Sequence, residues 1–348
     1  MLTSQFQWSR SRLAGPLTDR RSDVRAVTFK GTGGNEVVSL AERADPVPGS
    51  HEIVVAARFA GVNWADVAQR QGFYPPPPGA PQDIPGLEVA GVVAAVGEGV
   101  WAWRVGDRVF GIVGGGGLAD RVVVHERHVA AIPDSLADDV AAAVPEAYIT
   151  AHDAVFTQAG LQLGEVLLVN GANGAVGSAG VRLGLAAGAR VVAHVRSPES
   201  ARALGAEGAI VVTADTAAER IAALGGADVI LELVGPPNID LDFDVLALKG
   251  RIASVGTAAG TGAGEQAAIS LRRLMAKRAS LRGTVLRARP VEEKAAAVQA
   301  FARSVVPLLA AGRAIPEIDR VFPAAEAAAA FDHLAVPGKA GKILLEFA

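Results

Sequence analysis

The 348-residue chain contains no cysteine. That absence excludes disulfides, thiolate catalysis and any zinc site built on cysteine ligands. No apolar run approaches the roughly 18 residues that a membrane-spanning helix needs. Charge of one sign is also missing: 33 basic and 36 acidic residues, well mixed, leave a formal net charge of −3 and no basic footprint for nucleic acid. Residues 1–23, with arginines and serines but no apolar central block, do not read as a secretory signal. Asp19, Asp23 and the lack of an amphipathic period argue against a transit peptide, so this stretch is expected to be a disordered extension and the protein cytoplasmic. What is present is length and apolarity: 50 % hydrophobic residues over a chain too long for one ordinary core predict two domains.

The stretch from Gly164 to Val195, "GEVLLVNGANGAVGSAGVRLGLAAGARVVAHV", organises the rest. An apolar run meets a turn spaced by Gly171, Gly174 and Gly177, an Ala/Leu-rich helix follows, and a second apolar run closes the unit. Glycines serve such a turn by bending it tightly, admitting backbone amides to a pyrophosphate, and letting helix and strand touch. The helix start adds unpaired amides and a positive dipole end. Strand, turn, helix and strand together predict a dinucleotide site involving Gly171, Asn173, Gly174, Val176 and Gly177.

Upstream, from residue 24, short strands alternate with turns: "VRAVTF", "EVVSLAE", "HEIVVAARFAGV", "LEVAGVVAAVG", "GDRVFGIV" and "RVVVHERHVAAI". A helical pattern over "LADDVAAAVPEAYITAHDAVF" bridges into the glycine stretch. Downstream, strands and helices keep alternating until six strands make a doubly wound parallel sheet. The last segment reads as a long helix and then one strand, one helix and one strand, too little for a core of its own, so it is expected to return to the first domain. The expected division is 24–147 for a β-rich domain, 148–287 for the nucleotide domain and 288–348 for the returning segment.

Several motifs stand in order: "AGVNWADVAQRQGFYPPPPGA", "IPGLEVAGVVAAVGEGV", "VGDRVFGIVGGGGLADRVVV", "PEAYITAHDAV", "NGANGAVGSAG" and "GKILL". By these the chain resembles the zinc-free quinone oxidoreductase branch, the zeta-crystallin type, of the medium-chain dehydrogenase/reductase superfamily. The resemblance implies an α/β protein, a Rossmann sheet plus a GroES-like β-barrel catalytic domain. It also implies pairing of two copies through the edge strand of the nucleotide domain, here "RASLRGTVL", an apolar edge that is a liability unpaired. Zinc-dependent relatives place Cys in the first active-site turn, His in the proline-glycine segment and four cysteines in a lobe. This chain has Asn63 and Leu87 in the first two positions and only "FGIVGGGG" where the lobe would be, so no metal is expected. The six histidines show no metal spacing, and the tetraglycine Gly114–Gly117 reads as a tight connector.

An acid at the end of the second nucleotide strand usually marks NAD preference; here Val195, Arg196 and Ser197 stand there. A guanidinium can chelate the 2′-phosphate of NADP, so NADPH is the expected cofactor, with Arg196 and Ser197 at the phosphate. The family's lysine three residues past the serine and its tyrosine after the third strand are replaced by Ser200 and Thr213, and Arg196 as a plain solvated charge stays an open alternative. Without metal, the protein's work reduces to holding a hydride donor against an acceptor already electrophilic, a quinone or an α,β-unsaturated carbonyl. The developing oxyanion needs a hydrogen-bond donor, for which the resemblance offers Asn63 and Tyr74. Asn63 merely satisfying its own turn backbone, and Tyr74 as loop packing or part of a polyproline ligand, are the plainer readings. Thr150 is implied beside the nicotinamide, and the backbone at Val234 and Gly256 should line the cofactor cleft. An enoyl-thioester reductase and a non-catalytic NADPH-binding sensor are the rival functions.

Overall fold

The computed structural model describes residues 23–197, 199–200, 204, 207–257 and 266–347. The expected extension over residues 1–23 lies outside the described residues except for Asp23, which the structure places instead at the start of a strand. From Asp23 onward the turn-punctuated apolar segments form antiparallel strands: β1 (Asp23–Phe29), β2 (Val38–Ala44), β3 (Glu52–Ala56), β4 (Phe59–Val62), β5 (Glu88–Val96), β6 (Arg108–Ile112), β7 (Arg121–His125) and β8 (Val129–Ala131). β7, β3, β5, β6 and β8 make one sheet in that order, and β1 pairs with β2.

The run "HEIVVAARFAGV" divides between two sheets. After Ala56 the backbone leaves β5 and β7; Phe347 N donates to Arg58 O at 2.8 Å, and the Arg58 guanidinium pairs with Glu346. β4 thus belongs with the C-terminal strands β15 (Ile318–Pro323) and β16 (Lys342–Glu346), in the order β15-β16-β4. The antiparallel register sets Ile343 opposite Val62, which brings Lys342 to the residue beyond it, Asn63. A short helix, α1 (Trp64–Arg70), starts there.

The helical pattern expected as one bridging element is broken into two. α2 (Asp138–Ala142) stops, and α3 (Pro145–His152) begins afresh with proline as its first residue. Proline lacks the N–H that would continue the ladder and its ring crowds the preceding turn, but at a helix start neither matters. The chain then runs through a wide turn, Asp153–Gln158, to the second sheet.

That sheet contains β9 (Val166–Asn170), β10 (Arg190–His194), β11 (Ile210–Val212), β12 (Ala227–Glu232), β13 (Leu246–Ser254) and β14 (Ser280–Gly283). All are parallel, in the order β11-β10-β9-β12-β13-β14, so the strand order reverses between β9 and β12. β9, β10 and β12 are buried almost throughout and read as nearly unbroken apolar runs, which makes them plain in the sequence, whereas β14 at the edge is largely exposed. α4 (Ala175–Ala186) follows β9, and its apolar face supplies Leu183 to a core shared by both halves. Phe110, Tyr148, Ile149, Phe301 and Leu344 are buried in the same cluster, with Phe110 and Phe301 edge to face at 5.5 Å between centroids.

Candidate functional site

The turn after β9 is shaped by two glycines. Gly171 has φ +75°, which a side chain would strain, and a Cβ on Gly177 would lie 2.2 Å from Gly171 O. Gly174 takes the N-cap of α4 with an extended backbone, leaving the amides of Ala175, Val176 and Gly177 in the first turn without intrahelical acceptors. Around this cradle the carboxyl ends of the strands gather. A Cβ on Gly171 would meet Val234 Cγ2 at 3.3 Å, and one on Gly256 would meet Leu233 O at 3.5 Å. The structure therefore brings Gly171, Val234 and Gly256 together. A cavity of about 340 Å³ lies beside them, lined by Val255, Gly256, Thr257 and Thr284 among others.

The position of Val234 depends on a residue that sequence reasoning missed. Glu232, fully buried at the end of β12, accepts from the amides of Val234 at 2.5 Å and Gly235 at 2.6 Å. Its other oxygen accepts from Asn170 Nδ2 at 2.5 Å, and the same amide reaches Asp242 at 2.7 Å. His194 Nδ1 completes the chain, donating to Asn170 Oδ1 at 2.8 Å. Burial, then the charge of Glu232, pushes Asp242 up to about 8, so at neutral pH the carboxyl pair holds a proton. The sequence signal was an acid ending an otherwise apolar strand.

At the end of β10, Arg196 is exposed and has no ion-pair partner among the described residues. Ser197 Oγ accepts from Ser200 N at 3.3 Å. Asn173 Nδ2 donates to Lys339 O at 3.1 Å and Gly341 N donates to Asn173 O at 3.4 Å, so the segment before β16 lies across the glycine turn. Lys339 thereby shares its surroundings with Arg196; burial, then that neighbouring cation, lowers its affinity for a proton, while Asp319 works the other way.

The other wall comes from the β half. Asn63 caps α1: its backbone N–H donates to Asp66 Oδ2 at 2.9 Å, closing a capping box. Its side chain is wholly engaged, Nδ2 donating to Glu88 Oε1 at 2.9 Å and to Gly61 O at 3.3 Å, Oδ1 accepting from Lys342 Nζ at 2.6 Å. Lys342 also pairs with Glu88 at 2.5 Å, and both side chains are 2 % exposed. Glu146 N, at the start of α3, donates to Glu88 Oε2 at 2.9 Å. One turn along, Thr150 is buried and its Oγ1 has no hydrogen-bond partner among the described residues. Tyr74 is half-buried under Arg287, whose guanidinium carbon lies 4.8 Å from the ring centroid. Arg287 Nη1 donates to Tyr74 O at 2.7 Å, Nε to Gly114 O at 2.8 Å, and Nη2 to Gln69 Oε1. Desolvation, then Glu146, raises the Tyr74 pKa, so its O–H stays a donor at neutral pH.

Zinc does not fit this donor set. Asn63 Oδ1 is spent on an ammonium, Leu87 offers no lone pair, and among the described residues no three His, Cys, Asp or Glu side chains are placed to hold a metal ion. Nor does the larger cavity, about 510 Å³ around Asp153, Gln158, Thr284 and Arg289, read as a site. Arg289 there is taken up by its neighbours, reaching Asp153 and Thr284 at 2.6 Å each.

Comparison with known proteins shows the family. The alcohol dehydrogenase GroES-like domain family matches residues 49–134, and the zinc-binding dehydrogenase family matches residues 175–303. A quinone oxidoreductase of Lama guanicoe is 32 % identical over 331 residues, and one of Rattus norvegicus 33 %; each comparison covers 92 % of this chain and 97 % of the relative. Among solved structures, a quinone oxidoreductase of Pseudomonas syringae pv. Tomato DC3000 is 27 % identical with a TM-score of 0.80, over 93 % of this chain and all of that one. The human synaptic vesicle membrane protein VAT-1 homolog-like protein gives 25 % and 0.79, over 94 % and 98 %.

Proposed function

The chain belongs to the quinone oxidoreductase-like branch of the medium-chain dehydrogenase/reductase superfamily, and on that premise we propose that it transfers hydride from NADPH to quinones or α,β-unsaturated carbonyls without a metal. One observation supports the reading: beside the glycine turn, Asn63 Oδ1 and Glu88 are both engaged by Lys342, which leaves them no free lone pair to offer a Lewis acid there. An acceptor handled there must already be electrophilic.

The residues suit a dinucleotide. The amides of Ala175–Gly177 and the dipole of α4 would hold the pyrophosphate, with the positive φ of Gly171 and the missing side chain of Gly177 setting the turn that presents them. The unpartnered Thr150 Oγ1 would bond the carboxamide end, and the backbone at Val234 and Gly256 would flank it. Arg196, Ser197 and Lys339 would meet the 2′-phosphate. Bound there, the reduced nicotinamide supplies hydride to the acceptor. Tyr74 O–H, which makes no hydrogen bond among the described residues, donates to the oxyanion that develops. Asn63 backs it; its longer bond, to Gly61 O, is the one it would exchange.

The test is NADPH oxidation with 1,2- and 1,4-quinones, 2-alkenals and a crotonyl thioester. Turnover of quinones or alkenals is expected; activity with the thioester alone would favour an enoyl-thioester reductase, and NADPH binding with no turnover a sensor. In Arg196→Ala and Lys339→Ala the preference for NADPH over NADH should fall about 10- to 100-fold for each charge-assisted hydrogen bond removed, as ratios of kcat/KM. An unchanged ratio removes these residues from the phosphate site.

A further inference from the structure

Because Pro145 restarts the helix, Glu146 sits in the first turn of α3, and Thr150 follows it at a spacing of four on the same face. The Glu146 backbone is fixed through Glu88, yet its carboxyl makes no hydrogen bond among the described residues and keeps part of its surface open. Charged and titratable groups from every neighbouring element face it: Glu88 of β5, Asp66 of α1, Lys342 of β16, Lys294 of the helix Val291–Ser304, and Tyr74 with Arg287 above.

We propose that Glu146 is the catalytic acid, its carboxyl delivering the proton that completes reduction of the acceptor; the assignment rests on the reductase reading above. Burial pushes Glu146 up to about 8, with Glu88 and Asp66 adding to the rise and Lys342 and Lys294 opposing it. Below that pH the group is a neutral acid. In the reaction, the hydride adds two electrons and a C–H bond at the β-carbon of an enone while the C=C π bond breaks, and the electron pair moves to the carbonyl oxygen as an enolate held by Tyr74. The O–H bond of Glu146 then breaks, its proton goes to the α-carbon, and Glu146, left as carboxylate, regains a proton from water. The sum is one acceptor, one reduced nicotinamide and one proton in, the saturated carbonyl and oxidised nicotinamide out.

Glu146→Gln keeps the shape and loses the proton. With a 2-substituted alkenal in D2O, the wild-type enzyme should place deuterium on one face of the α-carbon, and E146Q should give both faces. The kcat should fall on the order of 100-fold in E146Q, and the loss of wild-type kcat above about pH 8 should vanish with it. Independently of turnover, a 13C-labelled glutamate carboxyl in the cofactor-free protein should titrate near 8 and be absent from E146Q. Single-face deuteration and an unchanged kcat in E146Q, or no carboxyl titrating above the usual range, overturn the assignment while the reductase reading stands. No turnover by the wild-type protein with any acceptor removes both.

Discussion

Lys342 and Glu88 show how much of this site depends on single buried charges. Removing an ion pair from water costs energy that its mutual attraction rarely exceeds, so the pair is better understood by what it positions, the Asn63 amide, than by stability it adds. Deleting one partner is another matter. Lys342→Met should destabilise the protein by about 3–5 kcal/mol, because Glu88 would keep its charge with only Asn63 Nδ2 and Glu146 N as donors. Urea denaturation measures it, and Glu88→Gln added to Lys342→Met should recover part of the loss; a Lys342→Met protein as stable as wild type would deny the pair this role. None of these partners was legible in the sequence as a constellation. Glu88, Glu146, Arg287 and Lys342 each stand within or beside apolar runs, a sign of buried charge, but which charge meets which is set by strand register and by a helix break more than fifty residues away. Asn63 and Tyr74, by contrast, were singled out by their motif as candidates, and the structure shows what each is tied to, Asn63 to Lys342 and Glu88 and Tyr74 to Arg287.

At the scale of elements, the glycine turn offers a contrast between neighbours of the same type. Gly177→Ala would drive a methyl into the Gly171 carbonyl, whereas a Cβ on Gly174 meets that oxygen at 3.5 Å, an ordinary separation, with an ordinary backbone. Gly177→Ala should therefore lower the melting temperature and abolish quenching of protein fluorescence by NADPH, while Gly174→Ala should fold and bind within a few-fold of wild type; equal behaviour of the two would mean that close approach is not what the turn requires. The turn, its strands and its helix were readable because a local motif and doubly buried strands both leave patterns in the sequence. The division of "HEIVVAARFAGV" between two sheets left none, since both halves are equally apolar and only the partners, β5 and β7 against β16, separate them. The break at Pro145 was written in the sequence, but a proline in a helical pattern does not say whether the helix kinks or starts again.

For the whole molecule, the edges of the parallel sheet are the features with consequences in solution. Among the described residues β14, like β11 at the opposite edge, pairs on one side only, and its residues Ser280–Gly283 are largely exposed. An unpaired edge invites a second strand, and we propose that two copies join there, β14 to β14. Sedimentation equilibrium at micromolar concentration should report twice the 35.5 kDa chain mass; a single species at the chain mass would defeat the pairing. Arg287 lies just past that same strand, yet its guanidinium grips Gly114, Tyr74 and Gln69 of the opposite half. The Tyr74 loop is thus fastened by a residue encoded with the parallel sheet. In evolutionary terms the two halves are not freely interchangeable modules: a recombinant that inherited the β half from one relative and the nucleotide half from another would carry Tyr74 without its clasp, unless an arginine came with the second parent.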